Sequence, residues 1–283
     1  MLLSRVLTAL TLLPLAISGI IFLPTSYFAI ILALIFAIGA HEWTKISQLS
    51  GSLSKIFITT VLVGFWLLWE FIINSASLTL IVNLLALTFW LGATYLVIQY
   101  PNKSEHWAAN TLLSFVFGLL VLLPSWFALV ALKSIEVFHW DSIEMAGSGL
   151  LLVLMCTVWI ADTGAYFTGR KWGNRKLIPH VSPGKTRAGA YGAIVLATFF
   201  LAIFSMILGN QISSTMIIIL LTIIIVVFSI VGDLFESMFK RQSGIKDSGS
   251  ILPGHGGILD RIDSITAAGP IFCCAILLME AIK

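Results

Sequence analysis

Between two long apolar runs, residues 237–263 read SMFKRQSGIKDSGSILPGHGGILDRID. Lys240, Arg241, Lys246 and Arg261 supply cations, and Asp247, Asp260 and Asp263 supply carboxylates. His255 can carry a proton, donate to a phosphate or simply tie a loop. The glycines of PGHGG let backbone amides approach an anion closely, so cations and glycines together suit a polyphosphate. For any one cation the plainer role is that of a positive loop that orients the chain in a membrane. Asp260 and Asp263, three residues apart, project from one turn at the start of the last helix. There they serve as cation ligands or as charges favoured by the positive end of the helix dipole.

Upstream, Asp162, Asp233 and Glu236 lie within apolar runs, where a carboxylate is costly and points to function. Asp233, Glu236, Ser237 and Lys240 recur at three- and four-residue steps, which puts them along one helical face. A Glu236–Lys240 ion pair is the structural alternative to a ligand role. Oxygen donors without nearby cysteine favour magnesium over zinc, and magnesium uses one or two carboxylates while substrate phosphates complete its shell. Asp233 and Asp260, from different helices, are the expected magnesium pair.

A second polar segment, 169–189, reads GRKWGNRKLIPHVSPGKTRAG. Its Ser182, Lys185 and Thr186 are expected to position a phosphate-bearing substrate at the membrane surface. They do not form a P-loop: Pro179 stands where a glycine is required five positions before Gly184, and no strand is expected ahead of them. Arg170, Lys171, Arg175 and Lys176 attract anionic headgroups or only orient the chain.

The elements that must hold these residues are membrane spans. Of the 283 residues, 59% are hydrophobic and only 10% charged, which excludes an ordinary soluble domain. About nine apolar runs are long enough to cross a bilayer. They lie near 6–23, 26–43, 56–73, 78–100, 107–132, 149–169, 189–208, 216–239 and 265–282. The expected fold is all-α, a polytopic integral membrane protein. Pro124, in the fifth run, kinks one span or marks a re-entrant break. The first run reads as a retained helix and not a cleaved signal. Cys156, Cys273 and Cys274 show no metal or disulfide spacing and read as packing residues.

With a cytoplasmic N-terminus, cytoplasmic segments collect 14 of the 16 Lys and Arg, leaving only Lys133 and Lys283 outside. Loops 170–188 and 240–264 then share the cytoplasmic side, and Asp162 and Asp233 can face one water-filled cavity. Residues 1–148 read as a transmembrane scaffold and 149–283 as the catalytic region.

The arrangement S-x-x-K-R-x4-K-D followed by P-x-H-G-G-x-x-D-R-x-D resembles the signature of the phosphatidate cytidylyltransferases, the CDP-diacylglycerol synthases. Ser237, Lys240, Arg241, Lys246, Asp247, Pro253, His255, Gly256, Gly257, Asp260, Arg261 and Asp263 meet it. The resemblance extends through GDLFES around Asp233, SPGKT around Lys185 and ADTGAY around Asp162, roughly the second half of the chain. It departs after SPGKT, where the family has an aromatic residue and then Glu or Gln and this chain has Arg187 and Ala188.

The resemblance implies magnesium-dependent transfer from CTP to phosphatidate at a multi-pass site in the cell membrane facing the cytoplasm. Lys240, Arg241 and Asp263 become catalytic candidates. Asp162, Ser182, Lys185, Thr186, Lys246, Asp247, His255 and Arg261 become substrate-binding candidates, with magnesium on Asp233 and Asp260 and room for a second cation near Asp263. Membrane lipid and a second copy of the chain are the other expected partners, and no nucleic acid is. From the residues alone two alternatives stay open. One is a transporter passing cations or protons along Asp162 and Asp233; the other is a CTP-dependent enzyme acting on a different lipid.

Overall fold

A computed structural model describes residues 2–102, 110–252, 254 and 256–281. Its helices are α1 (Leu2–Phe22), α2 (Thr25–Ile46), α3 (Gly51–Asn74), α4 (Ala76–Gln99), α5 (Thr111–Ser134), α6 (Gly147–Trp172), α7 (Arg187–Ile207), α8 (Ile212–Gln242) and α9 (Leu259–Ala281). Among the described residues eight stretches, one in each of α2 to α9, are long and apolar enough to cross a membrane, and the apolar part of α1, Leu10–Phe22, is shorter. The protein is an all-α, multi-pass membrane protein.

α5 runs through Pro124 without a break, so the fifth run is one span. Ser125, the next residue, donates from Oγ to the carbonyl of Thr266 at 2.6 Å and ties α5 to α9.

Two hairpins interrupt the helices. At the far end β1 (Phe138–Trp140) pairs with β2 (Ile143–Met145), and Asp141 accepts a 2.6 Å hydrogen bond from the Gln211 amide in the α7–α8 turn. At the site end β3 (Lys176–Ile178) pairs antiparallel with β4 (Ser182–Thr186). The expectation that no strand precedes SPGKT is corrected: β3 precedes it, and SPGKT is itself a strand. The exclusion of a P-loop stands on stronger ground, because an extended backbone paired to β3 cannot curl around a phosphate.

Aromatic packing fixes α8. Phe235 and Phe239, one turn apart, meet Trp43 of α2, Trp90 and Phe89 of α4 and Phe117 of α5, with Trp43 and Phe239 centroids 4.9 Å apart. Lipid is as apolar as these rings, so shape and dispersion hold the cluster, not escape from water. The opposite face of the same turns carries Asp233, Ser237 and Lys240.

Small residues bring the other helices together. A Cβ on Gly164 of α6 would lie 2.7 Å from the Gly192 carbonyl oxygen of α7, and one on Gly192 would lie 2.0 Å from Thr168 Oγ1. Between α8 and α9, a Cβ on Gly232 would lie 2.5 Å from the Asp263 carbonyl oxygen. This close approach sets Asp233 beside the first turns of α9.

Candidate active site

Two ammonium groups organise the centre. Lys240 Nζ lies 2.6 Å from Asp260 Oδ1 and 3.0 Å from Glu236 Oε1, with all three side chains deeply buried. Glu236 is thus the second partner of the same ammonium, one helical turn before it on α8. Lys185 Nζ, from β4, lies 2.7 Å from Asp233 Oδ2, while Ser237 donates to Asp233 Oδ1 at 3.1 Å. The expected one-face arrangement on α8 is present, and the Glu236–Lys240 pair exists, but Lys240 also reaches across to α9.

Asp260 is held from its other side. Its Oδ2 accepts from the amides of Ser248 at 3.0 Å and Gly257 at 2.8 Å. The tight loop is closed by an antiparallel bridge in which the Leu252 amide donates to the Gly256 carbonyl. Gly256 has φ +84°, and a Cβ there would sit 2.5 Å from Asp260 Oδ2, so conformation and space both demand glycine.

Beside this network lies a cavity of about 370 Å³ between α6, the β3–β4 hairpin and α7. Asp162, Arg170, Lys176, Lys185 and Thr186 line it, together with Ser229 of α8 and Ser264 of α9. Lys185 therefore belongs both to the cavity wall and to the ion pair with Asp233. Among the described residues Asp162 and Asp263 form no ion pair with a lysine or arginine, in contrast to Asp233 and Asp260.

Other expected site residues stand differently. Thr186 Oγ1 accepts from the Gly189 amide at 3.1 Å and caps α7, so its hydroxyl has a structural task. Ser182 is half-buried at the start of β4. Arg241 donates from Nε to the Val181 carbonyl and from Nη1 to the Ile245 carbonyl, both at 3.2 Å. Its guanidinium thus joins the two polar loops. Lys246, Asp247 and Arg261 are exposed around the loop, and His255 lies outside the described residues.

Glu42 is a further member of the site that was not among the expected residues. It is fully buried at the end of α2. Ser248 Oγ and the Leu259 amide donate to its Oε2 at 2.9 and 2.7 Å, and the Ile258 amide donates to its Oε1 at 3.1 Å. The available signal was the one that flagged Asp162: a carboxylate in an apolar span.

The oxygen-rich, thiol-free donor set suits a hard divalent cation. No cluster of three or more His, Cys, Asp or Glu side chains forms a ready-made cage among the described residues. Magnesium needs no such cage, since it takes one or two carboxylates and completes its shell with water and phosphate oxygens.

Comparison with known proteins gives one family. The sequence pattern of the Cytidylyltransferase family matches residues 3–279. A phosphatidate cytidylyltransferase of Pseudomonas aeruginosa is 41% identical over 273 residues, covering 96% of both chains. One of Haemophilus influenzae is 38% identical over 285 residues, covering 96% of this chain and 97% of its own. One of Bacillus subtilis is 33% identical over 238 residues, covering 84% and 85%.

Proposed function

The chain belongs to the Cytidylyltransferase family, and from that premise we propose the reaction, the site and its orientation in the membrane. The protein is a phosphatidate cytidylyltransferase: CTP and phosphatidate condense to CDP-diacylglycerol and pyrophosphate, a step of phospholipid synthesis. Neither transport nor another lipid acceptor has an observation in its favour.

The observation that carries the site assignment is Lys185, which lines the cavity and pairs with Asp233 at 2.7 Å. A cationic cavity and a carboxylate–lysine network thereby become one site, suited to aligning two polyanions. A phosphate oxygen of phosphatidate attacks the α-phosphorus of CTP, a new P–O bond forms, and the bond to the β-phosphate oxygen breaks. The charge on that oxygen leaves with pyrophosphate. A phosphate monoester is largely ionised near neutrality, so no strong base is needed and His255 is not required as one. What the chain must supply is alignment and screening of charge.

Arg170, Lys176 and Lys185 on the cavity wall receive the CTP phosphates. Lys240 screens the charge gathered at the reacting phosphates and holds Asp260 in place until substrate arrives. Arg241 joins the loops at Val181 and Ile245, so its part is to keep the basic segments together. Exposed Lys246 and Arg261 attract the nucleotide or the departing pyrophosphate, with Asp247 beside Lys246. Ser182 and Thr186 set the course of β4, which carries Lys185.

Asp233 and Asp260 would hold magnesium, which when bound would neutralise phosphate oxygens and favour departure of pyrophosphate. Asp263 and Asp162 are available to a second cation. Residues 149–283 furnish most of this site, and residues 1–148 mainly support it.

The protein resides in the bacterial cytoplasmic membrane with the site toward the cytoplasm. CTP is soluble there, while phosphatidate keeps its acyl chains in the bilayer. Transfer of label from α-phosphate-labelled CTP into lipid, with purified protein and phosphatidate micelles, tests the proposal. Label must appear in CDP-diacylglycerol, require magnesium and vanish in Asp260→Asn. Transfer that is indifferent to phosphatidate would sink it.

A further inference from the structure

We propose that Glu42, contributed by the first half of the chain, is a positioning residue for Asp260 and thereby sets the rate of cytidylyl transfer. The inference rests on the assignment of Asp260 to the site.

The donors to the two carboxylates interleave. Ser248 gives its hydroxyl to Glu42 and its amide to Asp260. In the next strip of chain, the Gly257 amide goes to Asp260, and the Ile258 and Leu259 amides go to Glu42. Neither set of bonds can shift without the other. Asp260 lies in the first turn of α9, and Glu42 also receives unpaired amides at that helix start, where an anionic acceptor is favoured.

Space around Glu42 is reserved for it. A Cβ on Gly249 would come 2.3 Å from Glu42 Oε1, and one on Gly257 would come 2.4 Å from Oε2. The paired glycines thus divide their work: Gly256 makes room for Asp260 and Gly257 for Glu42. A buried carboxylate that accepts on both oxygens cannot be replaced by an amide without turning one acceptor into a donor that faces backbone N–H groups. The loop must then move, carrying the Ser248 and Gly257 amides and with them the orientation of Asp260.

Groups that orient the ligands of a reactive centre cost about 10- to 100-fold in activity when removed. The test uses the full-length protein in detergent with Glu42→Gln and Ser248→Ala. It reads kcat, KM for CTP and for phosphatidate, thermal unfolding, and hydrogen exchange at the Ser248 and Gly257 amides.

Glu42→Gln is expected to lower kcat about 10- to 100-fold, leave KM for phosphatidate unchanged, and speed exchange at both amides. Ser248→Ala does the same to a smaller degree. It also carries the test if Glu42→Gln does not fold. The double variant loses less than the product of the single losses, because both remove one shared bond. Folded variants with wild-type kcat and unchanged exchange overturn the inference. A lowered unfolding temperature with unaltered kinetics overturns it as well, since that is a merely structural role. If wild-type protein transfers no label from CTP, the reading of the reaction fails; the exchange rates still decide whether Glu42 holds the donors of Asp260.

Discussion

Lys240 of α8 and Asp260 of α9 form a buried ion pair of 2.6 Å. Glu236 lies on the other side of the same ammonium at 3.0 Å, so one positive charge sits between two carboxylates. The Lys240 side chain is only 7% exposed, which decides the cost of removing it.

Lys240→Met leaves Asp260 and Glu236 buried without a counter-charge, and breaking a buried pair in this way costs about 3–5 kcal/mol. Thermal unfolding in detergent should show that loss. Adding Glu236→Gln removes one of the stranded charges and should recover part of the stability, while CTP-to-lipid transfer stays absent. Recovery of transfer in the double variant would show that Lys240 serves only to neutralise Glu236.

The Lys185–Asp233 pair is different because its side chains are 28% and 29% exposed and Lys185 lines the cavity. Solvent screens such a pair, so its loss should cost little stability. Lys185→Ala is expected to shift unfolding slightly yet lower kcat/KM for CTP at least about 100-fold, as loss of an electrostatic contact to the reacting phosphates does. Asp233→Asn should abolish turnover with membrane insertion intact. Label transfer alongside circular dichroism separates these outcomes, and robust activity in Asp233→Asn would remove it from the metal pair.

The spans and the polar face of α8 were legible because they are local. Asp233, Ser237 and Lys240 follow helical spacing, and their placement opposite Phe235 and Phe239 is written in the same turns. Glu42 was not legible in its role, because Ser248 stands 206 residues away in the chain and nothing short-range links them. No strand was expected ahead of SPGKT, because its Pro and Gly are poor strand formers; pairing with Lys176–Ile178 overrode that local preference and made it a strand. Arg241 looked like a phosphate ligand from composition, whereas its carbonyl partners at Val181 and Ile245 emerge only when the two loops meet.

Close packing of α6 on α7 gives a prediction outside the charged centre. Gly192→Ala places a methyl 2.0 Å from Thr168 Oγ1, so Thr168 or the helix must yield. Overpacking of this kind costs about 1–3 kcal/mol, and the cavity between the two helices should distort, raising KM for CTP. Thr168→Ala on the Gly192→Ala background removes the obstructing atoms and should restore most of the unfolding temperature. A Gly192→Ala protein as stable as wild type would mean that the helices do not approach this closely.

Orientation can be read by chemistry at two exposed positions on opposite ends of the bundle. Lys246 belongs to the site loop, and Glu136 to the segment between α5 and α6. The site end carries most of the lysines and arginines, and such asymmetry is characteristic of cytoplasmic loops. Cys273 and Cys274 are buried and Cys156 is half-buried. Replacing all three with serine gives a clean background. In that background Lys246→Cys should react with a membrane-impermeant maleimide only in inside-out vesicles, and Glu136→Cys only in right-side-out vesicles or intact spheroplasts. This pattern gives CTP direct access to Lys185 and the cavity from the compartment where it is made. The reverse pattern would place the cationic cavity away from its nucleotide and overturn the cytoplasmic assignment, even if purified protein in detergent remained active.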